Sequence, residues 1–432
     1  MLYSCRNNNV AYPHSSVRYQ CIKKAMDKMD HKKRIMLFGM GDVCYSSIDI
    51  LNAKIIEEFA ARGVECDIVQ IVGRKGYTEE IYNRLSSGEY AAALSFNSAG
   101  ENQLKLTNGE NMFDHFNVPF YLFLLDHPMD HVVKLKGAGK GLHVICIDRD
   151  HPAYIKRGFP EIEHTHFTLL GGLPAPDGAV FSEEQFEQRS KDIVLTASRV
   201  NLEQREEAIL SLSDGMRSIA LSLLDLLLDE RSLDNEQALE RVIADKGLSG
   251  ISGEEFAMLE AMTNSVNIYV RAYVREEIVR TLMASDLKLD IYGKGWEALA
   301  DEMGPNVRLH AAVPYTETPK IYYDSKLVLN VMPWFKNGSH DRIPSSMLSG
   351  AVPLTDHSKL LDEWFLTDDE DKKTVAFYDL SHTEKITGIA KDLLSDTHAL
   401  YLRSERGRKY AFAHMSWSNT ANDVLKFMGI DQ

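Results

Sequence analysis

Short apolar runs alternate with stretches of helical periodicity along most of the chain. The first clear run, RIMLFG, ends in a glycine turn, and the helical pattern IDILNAKIIEEFAARG follows it. Similar runs recur in VECDIVQIVG, AAALSF, FYLFLLD and HVICIDRD. Strands that alternate with helices are typical of a parallel sheet covered by helices on both faces. The pattern predicts a doubly wound α/β domain over residues 1–180.

A second series of the same kind begins after the breaker cluster GGLPAPDG at 171–178. Its predicted strands are KDIVLTASRV, LKLDIYG, VRLHAAV, KLVLNVM and AVPLTD. Residues 201–285 interrupt the series with a Leu-rich helical pattern that lacks proline. The apolar positions crowded in this stretch indicate a small helical core or a surface for a partner. We therefore predict a second doubly wound domain over residues 181–415 with a helical insertion at about 201–285.

Polar side chains collect where the predicted strands of the second domain end. In parallel sheets ligands bind outside the carboxyl ends of the strands. A loop that carries an arginine, followed by a helix start with backbone N–H groups, is suited to a phosphate. The polar residues at these ends are Lys294, Trp296, Asn330, His340, Asp341, Arg342, Ser345, Ser346, Asp356 and His357.

The order of these pieces resembles the carboxyl-terminal half of GT-B glycosyltransferases of the spore-maturation CgeB-like group. In that group a turn hYGxGW is followed by hxGxVxYxExPxIY, then SKxxLN, a loop with an arginine, a helix and GAxxLTD. The resemblance covers roughly the last third of the chain. The matching residues are Tyr292-Gly293-Lys294-Gly295-Trp296, Tyr315, Pro319, Ile321-Tyr322, Ser325-Lys326, Leu329-Asn330, Arg342, Gly350-Ala351 and Thr355-Asp356.

The resemblance implies a GT-B fold, in which two Rossmann-like domains face a cleft and the last helix, here 416–432, crosses back to the first domain. It implies an enzyme that moves a sugar from a nucleotide-sugar donor to a hydroxyl of a glycan or protein acceptor. Arg342 would neutralise charge on the departing diphosphate, so that neither a metal nor a further cofactor is required. The implied donor-binding residues are Arg199, Gly293, Lys294, Gly295, Trp296, Tyr315, Asn330, His340, Asp341, Arg342, Ser345, Ser346 and Asp356.

Three details of the donor site are expected from the same resemblance. The turn from Gly293 to Trp296 would lie near the base and ribose, and a helix opening at Ser345 would add N–H donors for the phosphates. Many GT-B enzymes hold the ribose with a Glu near this helix start. Counting back from Gly350, that position here is Ser345 or Ser346, so ribose recognition must use another group and the donor nucleotide is open.

Candidate groups for the acceptor side come from the first domain. The strand FYLFLLD delivers Asp126 and His127 to its carboxyl end, and a DHP sequence at this place recurs in CgeB-like relatives, which implies a cleft-facing site. His127 is suited to remove a proton near neutral pH, Asp126 could orient it, and Asp42 is a second candidate base. The alternative is that His127 caps the strand or pairs structurally with Asp126.

The sequence Asp148-Arg149-Asp150 raises a different possibility. A DxD after a strand is the divalent-metal motif of single-domain GT-A glycosyltransferases. Because the chain has a second α/β half, we interpret this DxD as a strand end without a metal, and the GT-A fold remains the alternative.

The composition limits the possible binding partners and the cellular compartment. The net charge of -15 opposes binding to nucleic-acid backbones. The five cysteines form no CxxC pair, which argues against a disulfide framework or zinc site and favours a reducing, cytoplasmic setting. The amino terminus lacks the apolar region of a signal peptide, and the most apolar segment is too short to cross a bilayer.

Two other functions remain open from sequence. A nucleotide-sugar epimerase shares the two-domain design and would need no acceptor. A non-catalytic subunit would keep the fold and bind a partner, or another copy of itself, through the helical insertion. The serine at the expected Glu position favours this second alternative.

Overall fold

The structure is a computed structural model that describes residues 34–41, 45–332 and 335–430. These residues contain twelve strands in two separate sheets. The strands are β1 (Arg34–Gly39), β2 (Glu65–Gln70), β3 (Tyr90–Phe96), β4 (Phe120–Phe123), β5 (Leu142–Cys146), β6 (His164–Phe167), β7 (Lys191–Thr196), β8 (Leu289–Tyr292), β9 (Val307–His310), β10 (Ser325–Asn330), β11 (Val352–Asp356) and β12 (Ala376–Tyr378).

Helices connect nearly all of these strands, as the alternating pattern predicts. The α-helices in the described residues are α1 (Ser47–Ala60), α2 (Tyr77–Ser86), α3 (Met112–His115), α4 (Val132–Leu135), α5 (His151–Gly158), α6 (Glu183–Glu187), α7 (Leu202–Leu210), α8 (Asp214–Asp229), α9 (Asn235–Asp245), α10 (Gly253–Met262), α11 (Asn264–Met283), α12 (Thr318–Tyr323), α13 (Arg342–Leu348), α14 (Lys359–Phe365), α15 (Ile386–Ser395), α16 (Thr397–His414) and α17 (Trp417–Met428). Among the described helices, none combines the length and the apolar composition that spanning a bilayer requires.

Both sheets are parallel and have the same kind of strand order. The first runs β2-β1-β3-β4-β5-β6 and the second β12-β11-β10-β7-β8-β9. The central strands are buried on both faces, which explains why they read as continuous apolar runs. The order reverses between β1 and β3 and between β7 and β10, and these switch points are where open α/β sheets bind ligands. The predicted fold class, two doubly wound domains with a helical insertion in the second, is confirmed.

The insertion, helices α7 to α11, lies between β7 and β8 and packs against both domains. On the side of the second domain, Arg231 of the insertion donates to the Leu380 carbonyl at 3.0 Å, and Glu277 of α11 holds the same guanidinium from within the insertion. On the side of the first domain, helix α10 packs on α5, where the Arg157 guanidinium stacks 4.0 Å from the Phe256 ring centroid. The insertion therefore connects the two domains as well as extending one of them.

The chain crosses between the domains twice, once through the linker after β6 and once at its carboxyl end. The linker backbone at Gly172 donates from N–H to the Met415 carbonyl at 3.0 Å. A Cβ placed on Gly172 would lie 2.5 Å from the backbone carbon of Pro344, so only glycine allows this approach to α13. The last helix, α17, returns to the first domain, where Arg62 of the segment after α1 donates to Asn422 at 2.5 Å and to Ser418.

Candidate functional site

A cavity of about 380 Å³ lies between the two domains. Its walls come from segments that follow β1, β3, β4 and β5 in the first sheet and from β7, α12 and α13 in the second. The polar and charged residues that line it include Tyr45, Asn97, Asp126, Thr196, Tyr315, Tyr322, His340, Asp341 and Arg342. Of the predicted site residues, Asp126, Tyr315, His340, Asp341 and Arg342 line this cavity, which lies at the carboxyl ends of strands from both sheets.

Arg342 bridges the switch point of the second sheet and lines the cavity. Its guanidinium donates to the side chain of Asn330 at the end of β10 (2.6 Å) and to the carbonyl of Thr196 at the end of β7 (3.0 Å). Tyr322 of α12 also reaches the Thr196 hydroxyl, at 2.5 Å. These contacts leave only 8% of Arg342 exposed, so its charge is held in one place at the cavity wall. A fixed, poorly solvated guanidinium of this kind suits a phosphate oxygen.

A second charged group, the carboxylate of Asp341, lies next to Arg342. It accepts a hydrogen bond from the Tyr315 hydroxyl, and one of its oxygens lies 2.6 Å from Nδ1 of His340. Burial opposes ionisation of Asp341, but His340, Tyr315 and Arg342 outweigh it and lower the pKa of this carboxyl. Asp341 thus stays ionised and orders the loop in front of Arg342.

The glycine turn after β8 is joined to the end of β7. The Lys294 N–H donates to the Ser198 hydroxyl at 3.1 Å, and the Trp296 indole donates to the Ala197 carbonyl at 2.7 Å. Trp296 is fully buried, so it shapes the end of β7 from within the core. Gly293 and Gly295 lie in the same turn, and a Cβ on Gly293 would lie 2.2 Å from the Ala197 oxygen. The turn and the end of β7 therefore form one unit beside the cavity.

Arg199 lies just after β7, but its guanidinium pairs with the insertion. Its Nε donates to Glu276 of α11 at 2.7 Å, and both side chains are largely buried. Glu276 also accepts from Arg280 at 2.8 Å. Arg199 therefore holds α11 against the end of β7, and its predicted contact with phosphates would require exchange of this partner.

The predicted helix start at Ser345 is wrong, because α13 begins at Arg342. The N–H of Ser345 donates to the Asp341 carbonyl inside the helix, and its hydroxyl accepts from the Leu173 N–H at 3.0 Å. The Ser346 hydroxyl donates to the Ile343 carbonyl. The sequence pattern did not indicate this start because Pro344 follows it, although proline is tolerated in the first turn of a helix. Both serines are thus occupied in packing the helix and the linker.

Asn330 and Asp356 order the strand ends beneath Arg342. The Asn330 amide donates to Thr355 at 2.9 Å, and Asp356 accepts from the Met332 N–H at 2.8 Å. Asp356 is fully buried, and this burial raises its pKa to about 6 although Met332 and Lys336 favour its charged form.

The raised pKa of Asp356 predicts a pH-dependent cost to stability. The folded protein binds the proton of Asp356 more tightly than the unfolded chain does, so protonation of this carboxyl favours the folded state. This stabilisation is complete below about pH 4 and is lost as the pH rises through about 6. Two pKa units correspond to about 3 kcal/mol. We expect Asp356→Asn to gain stability relative to the parent protein between pH 4 and pH 7, measured by urea unfolding. An equal difference at both pH values would contradict the assignment.

In the first domain, Asp126 lines the cavity and Asn97 holds it there. Asn97 follows β3 in the left-handed region, with φ 59°, which Asn tolerates better than most residues. Its side-chain oxygen accepts from the Leu125 N–H and its amide donates to Asp126, both at 2.8 Å. The Lys134 ammonium donates to the Asn97 carbonyl at 2.7 Å. Sequence reasoning found Asp126 but missed Asn97, because a single Asn after a strand is also typical of an ordinary turn.

His127 faces a different, smaller pocket between the first domain and the insertion. Its Nδ1 accepts from the Met129 N–H at 3.1 Å, and its Nε2 lies 3.7 Å from Glu236 of α9. Burial opposes protonation of this ring, but the nearby carboxylates of Glu236 and Glu260 outweigh it and raise the pKa of His127. The structure thus places His127 as a cap and as a partner of the insertion, while Asp126 bonds to Asn97. Asp42, the other predicted base, lies outside the described residues.

Because the pKa of His127 is raised, its protonated form should strengthen attachment of the insertion. That contribution is complete below the usual histidine pKa of about 6.5 and is lost as the pH rises through the higher folded value. We expect His127→Asn, which can still accept from Met129, to lose thermal stability mainly at low pH, and the difference to shrink at pH 9. A pH-independent difference would mean that the charge of His127 has no role.

Tyr45 joins the two domains at one side of the cavity. Its hydroxyl is 3.2 Å from the Ser198 hydroxyl, and the Lys294 ammonium lies 5.4 Å from its ring centroid, within range of a cation–π contact. The sequence did not single out Tyr45, because its partners are more than a hundred residues away.

Residues 271–426 match the family described as Glycosyl transferase-like. No curated protein matches the sequence. A glycosyltransferase from Rickettsia africae is similar in structure, with 9% identity, a TM-score of 0.51 and coverage of 92% of this chain and 98% of the other.

Two further solved structures share the architecture. A sucrose-phosphate synthase from Thermosynechococcus elongatus has 10% identity and a TM-score of 0.54, over 92% of this chain and 98% of the other. Anabaena HepE in complex with UDP and glucose has 10% identity and a TM-score of 0.52, over 92% of this chain and all of the other. This chain is a transferase with the GT-B fold. Residues 271–426 form its glycosyl transferase-like region.

The single-domain GT-A fold, the alternative suggested by Asp148-Arg149-Asp150, is wrong, because the chain has two separate sheets and the GT-B fold. Asp148 accepts from the N–H groups of Asp150 and Asn337, both at 2.9 Å, and Arg149 pairs with Glu363. These contacts tie the end of β5 to the second domain of the GT-B enzyme. Among the residues that the structure describes, no group of three or more His, Cys, Asp or Glu side chains is arranged to hold a metal ion.

Proposed function

We propose that the interdomain cavity binds a nucleotide-sugar donor and that the enzyme transfers its sugar to a hydroxyl of a glycan or protein acceptor. The observation that carries the proposal is Arg342, a buried guanidinium that spans the switch point of the second sheet at the cavity wall. The solved complexes of the similar Anabaena protein with UDP and with UDP-glucose support a nucleotide-sugar as donor.

On the donor side, the diphosphate would lie against Arg342, with the ends of β7 and β8 beside it. Transfer breaks the bond between the anomeric carbon and the phosphate oxygen, and the negative charge that develops on the leaving diphosphate is stabilised by the guanidinium. The Lys294 ammonium, 5.4 Å from the ring centroid of Tyr45, would add a second positive charge at the Tyr45 side of the cavity. With these groups the departure of the diphosphate needs no metal or cofactor.

On the acceptor side, Asp126 is the first-domain carboxylate that lines the cavity, and Asn97 orients it. It would accept a hydrogen bond, and then the proton, from the hydroxyl that attacks the sugar. We further propose membership of the CgeB-like group, on the ordered motifs from Tyr292 to Asp356. We also propose a cytoplasmic location, on the five widely spaced cysteines that form no CxxC pair.

The test is a panel of nucleotide-sugars incubated with the protein, with and without glycan and peptide acceptors. We expect release of a nucleoside diphosphate that depends on one donor and increases with an acceptor. Conversion of the donor to an isomer without nucleotide release would identify an epimerase. Absence of both reactions, together with no thermal shift by any nucleotide, would overturn the proposal and support a non-catalytic subunit.

A further inference from the structure

The segment that carries Asp126 is short and tightly folded. Residues 126–131, called the base loop here, lie shortly after β4 and include a turn of 3-10 helix. The ring of His127 caps this turn by accepting from the Met129 N–H at 3.1 Å, and the His127 carbonyl accepts from the Asp130 N–H at 3.0 Å. Asp126 directly precedes this cap, so a displacement of His127 also displaces Asp126.

Helix α9 of the insertion contacts the base loop through its first two residues. The Glu236 carboxylate lies 3.7 Å from Nε2 of His127, which is buried. Asn235 donates to the Met129 sulfur at 3.7 Å and to the carboxylate of Glu260 in α10 at 2.6 Å. Because Glu260 is fully buried within the insertion, it holds the Asn235 amide against the loop. Two neighbouring side chains of α9 therefore fix the middle of the base loop.

Helix α11 holds the far end of the same loop. Its first residue, Asn264, donates to the Asp130 carboxylate at 2.5 Å. Further along α11, Glu276 accepts from Arg199, just after β7, at 2.7 Å. One helix is thus attached both to the second domain and to the base loop of the first domain.

The position of a catalytic carboxylate depends on the loop that carries it. Asn97 orients the Asp126 side chain by donating to it at 2.8 Å, while the contacts with the insertion fix the backbone that follows Asp126. A general base must lie within about 2.6–3.2 Å of the proton that it removes. A misplacement of about 1 Å can lower the rate about 100-fold. Contacts that hold the base loop therefore affect the rate of transfer.

We propose that the insertion positions the acceptor-side carboxylate, with Glu236 and Asn264 as positioning residues that hold the base loop so that Asp126 faces the acceptor hydroxyl. The inference rests on the proposed function, in which Asp126 takes the proton. It assigns to the insertion a part in the rate of transfer and leaves the donor diphosphate to Arg342.

The test compares Glu236→Gln with Glu240→Gln, using the donor and acceptor that the nucleotide-sugar panel identifies. Both glutamates lie on α9, one helical turn apart, and both pair with the first domain, but the partner of Glu240 is Arg157 of α5, outside the base loop. We expect Glu236→Gln to lower kcat by about 10-fold while the donor KM stays within about twofold of the parental value. Glu240→Gln should keep the parental kcat and KM. Equal kcat values in the two variants would overturn the inference and leave the proposed function intact.

A reciprocal exchange at the other contact covers a loss of folding in Glu236→Gln. Asn264→Asp would place two carboxylates against each other, so we expect a several-fold lower kcat. Adding Asp130→Asn restores one amide and one carboxylate with their roles exchanged, and kcat should recover to within about twofold of the parental value. An unchanged kcat in Asn264→Asp, or no recovery in the double variant, would overturn the inference. Absence of turnover in the parent protein with every donor would overturn the proposed function as well.

Discussion

Arg342→Lys should lower the rate of sugar transfer by about 100-fold or more while the protein remains folded. The guanidinium reaches two strand ends at once, the side chain of Asn330 and the carbonyl of Thr196. An ammonium cannot make this pair of contacts in the same plane, so it cannot hold its charge at the same place on the cavity wall. Because stabilisation of the leaving diphosphate is needed most in the transition state, we expect the loss in kcat to exceed the loss in donor affinity.

The measurement is steady-state nucleoside diphosphate release over a range of donor concentrations, with unfolding curves for each variant. The matched control is Arg308→Lys, an exposed arginine of β9 in the same domain, which should retain parental kinetics. A folded Arg342→Lys enzyme with parental kcat would show that Arg342 only joins β7 to β10.

Gly293→Ala should destabilise the protein and disrupt donor binding together. A Cβ at this position would lie 2.2 Å from the Ala197 oxygen and 2.6 Å from the Ala197 carbonyl carbon, both of which are backbone atoms. The turn after β8 would have to move away from the end of β7, and overpacking of this kind costs about 1–3 kcal/mol. The same movement would break the hydrogen bond between Trp296 and Ala197, so we expect a loss of donor affinity as well.

Gly388→Ala is the matched control for this substitution. Gly388 lies within helix α15, is exposed, and has open space around the position of a Cβ. Alanine is favoured over glycine in a helix by about 0.5–1 kcal/mol, so this variant should be as stable as the parent or more stable. Unfolding by urea and nucleotide affinity are measured for both. A Gly293→Ala protein with parental stability and affinity would contradict the close approach of the two strand ends.

Most of the fold could be predicted because buried parallel strands carry an unmistakable signal. The runs RIMLFG and KLVLN contain no polar interruption before their ends, so these strands could be recognised, and their alternation with helices predicted the fold class. Strand β6 was missed because its sequence, HTHF, is polar and lies at the edge of its sheet, where one side lacks a neighbouring strand. An edge strand need not be apolar, and periodicity therefore does not detect it.

The location of the site could be predicted from the sequence, but the contacts of its side chains could not. Local sequence placed Arg342 and Asp126 at strand ends, and the structure has both at the cavity. The orientation of each side chain depends on partners far along the chain. Arg199 pairs with Glu276, which is 77 residues away, and a surface arginine and a paired one look the same in sequence. The contact between the insertion and the end of β7 was beyond prediction for the same reason, since only folding brings Arg275 to the Ser198 carbonyl.

The most direct test of the cleft as the donor site is hydrogen exchange with and without a saturating nucleoside diphosphate. If the diphosphate binds between the domains, amides near Arg342 and at the end of β7 should exchange more slowly, together with those near Asn97 and Asp126 across the cavity. Protection confined to one domain, or found only at a surface remote from both switch points, would contradict the account.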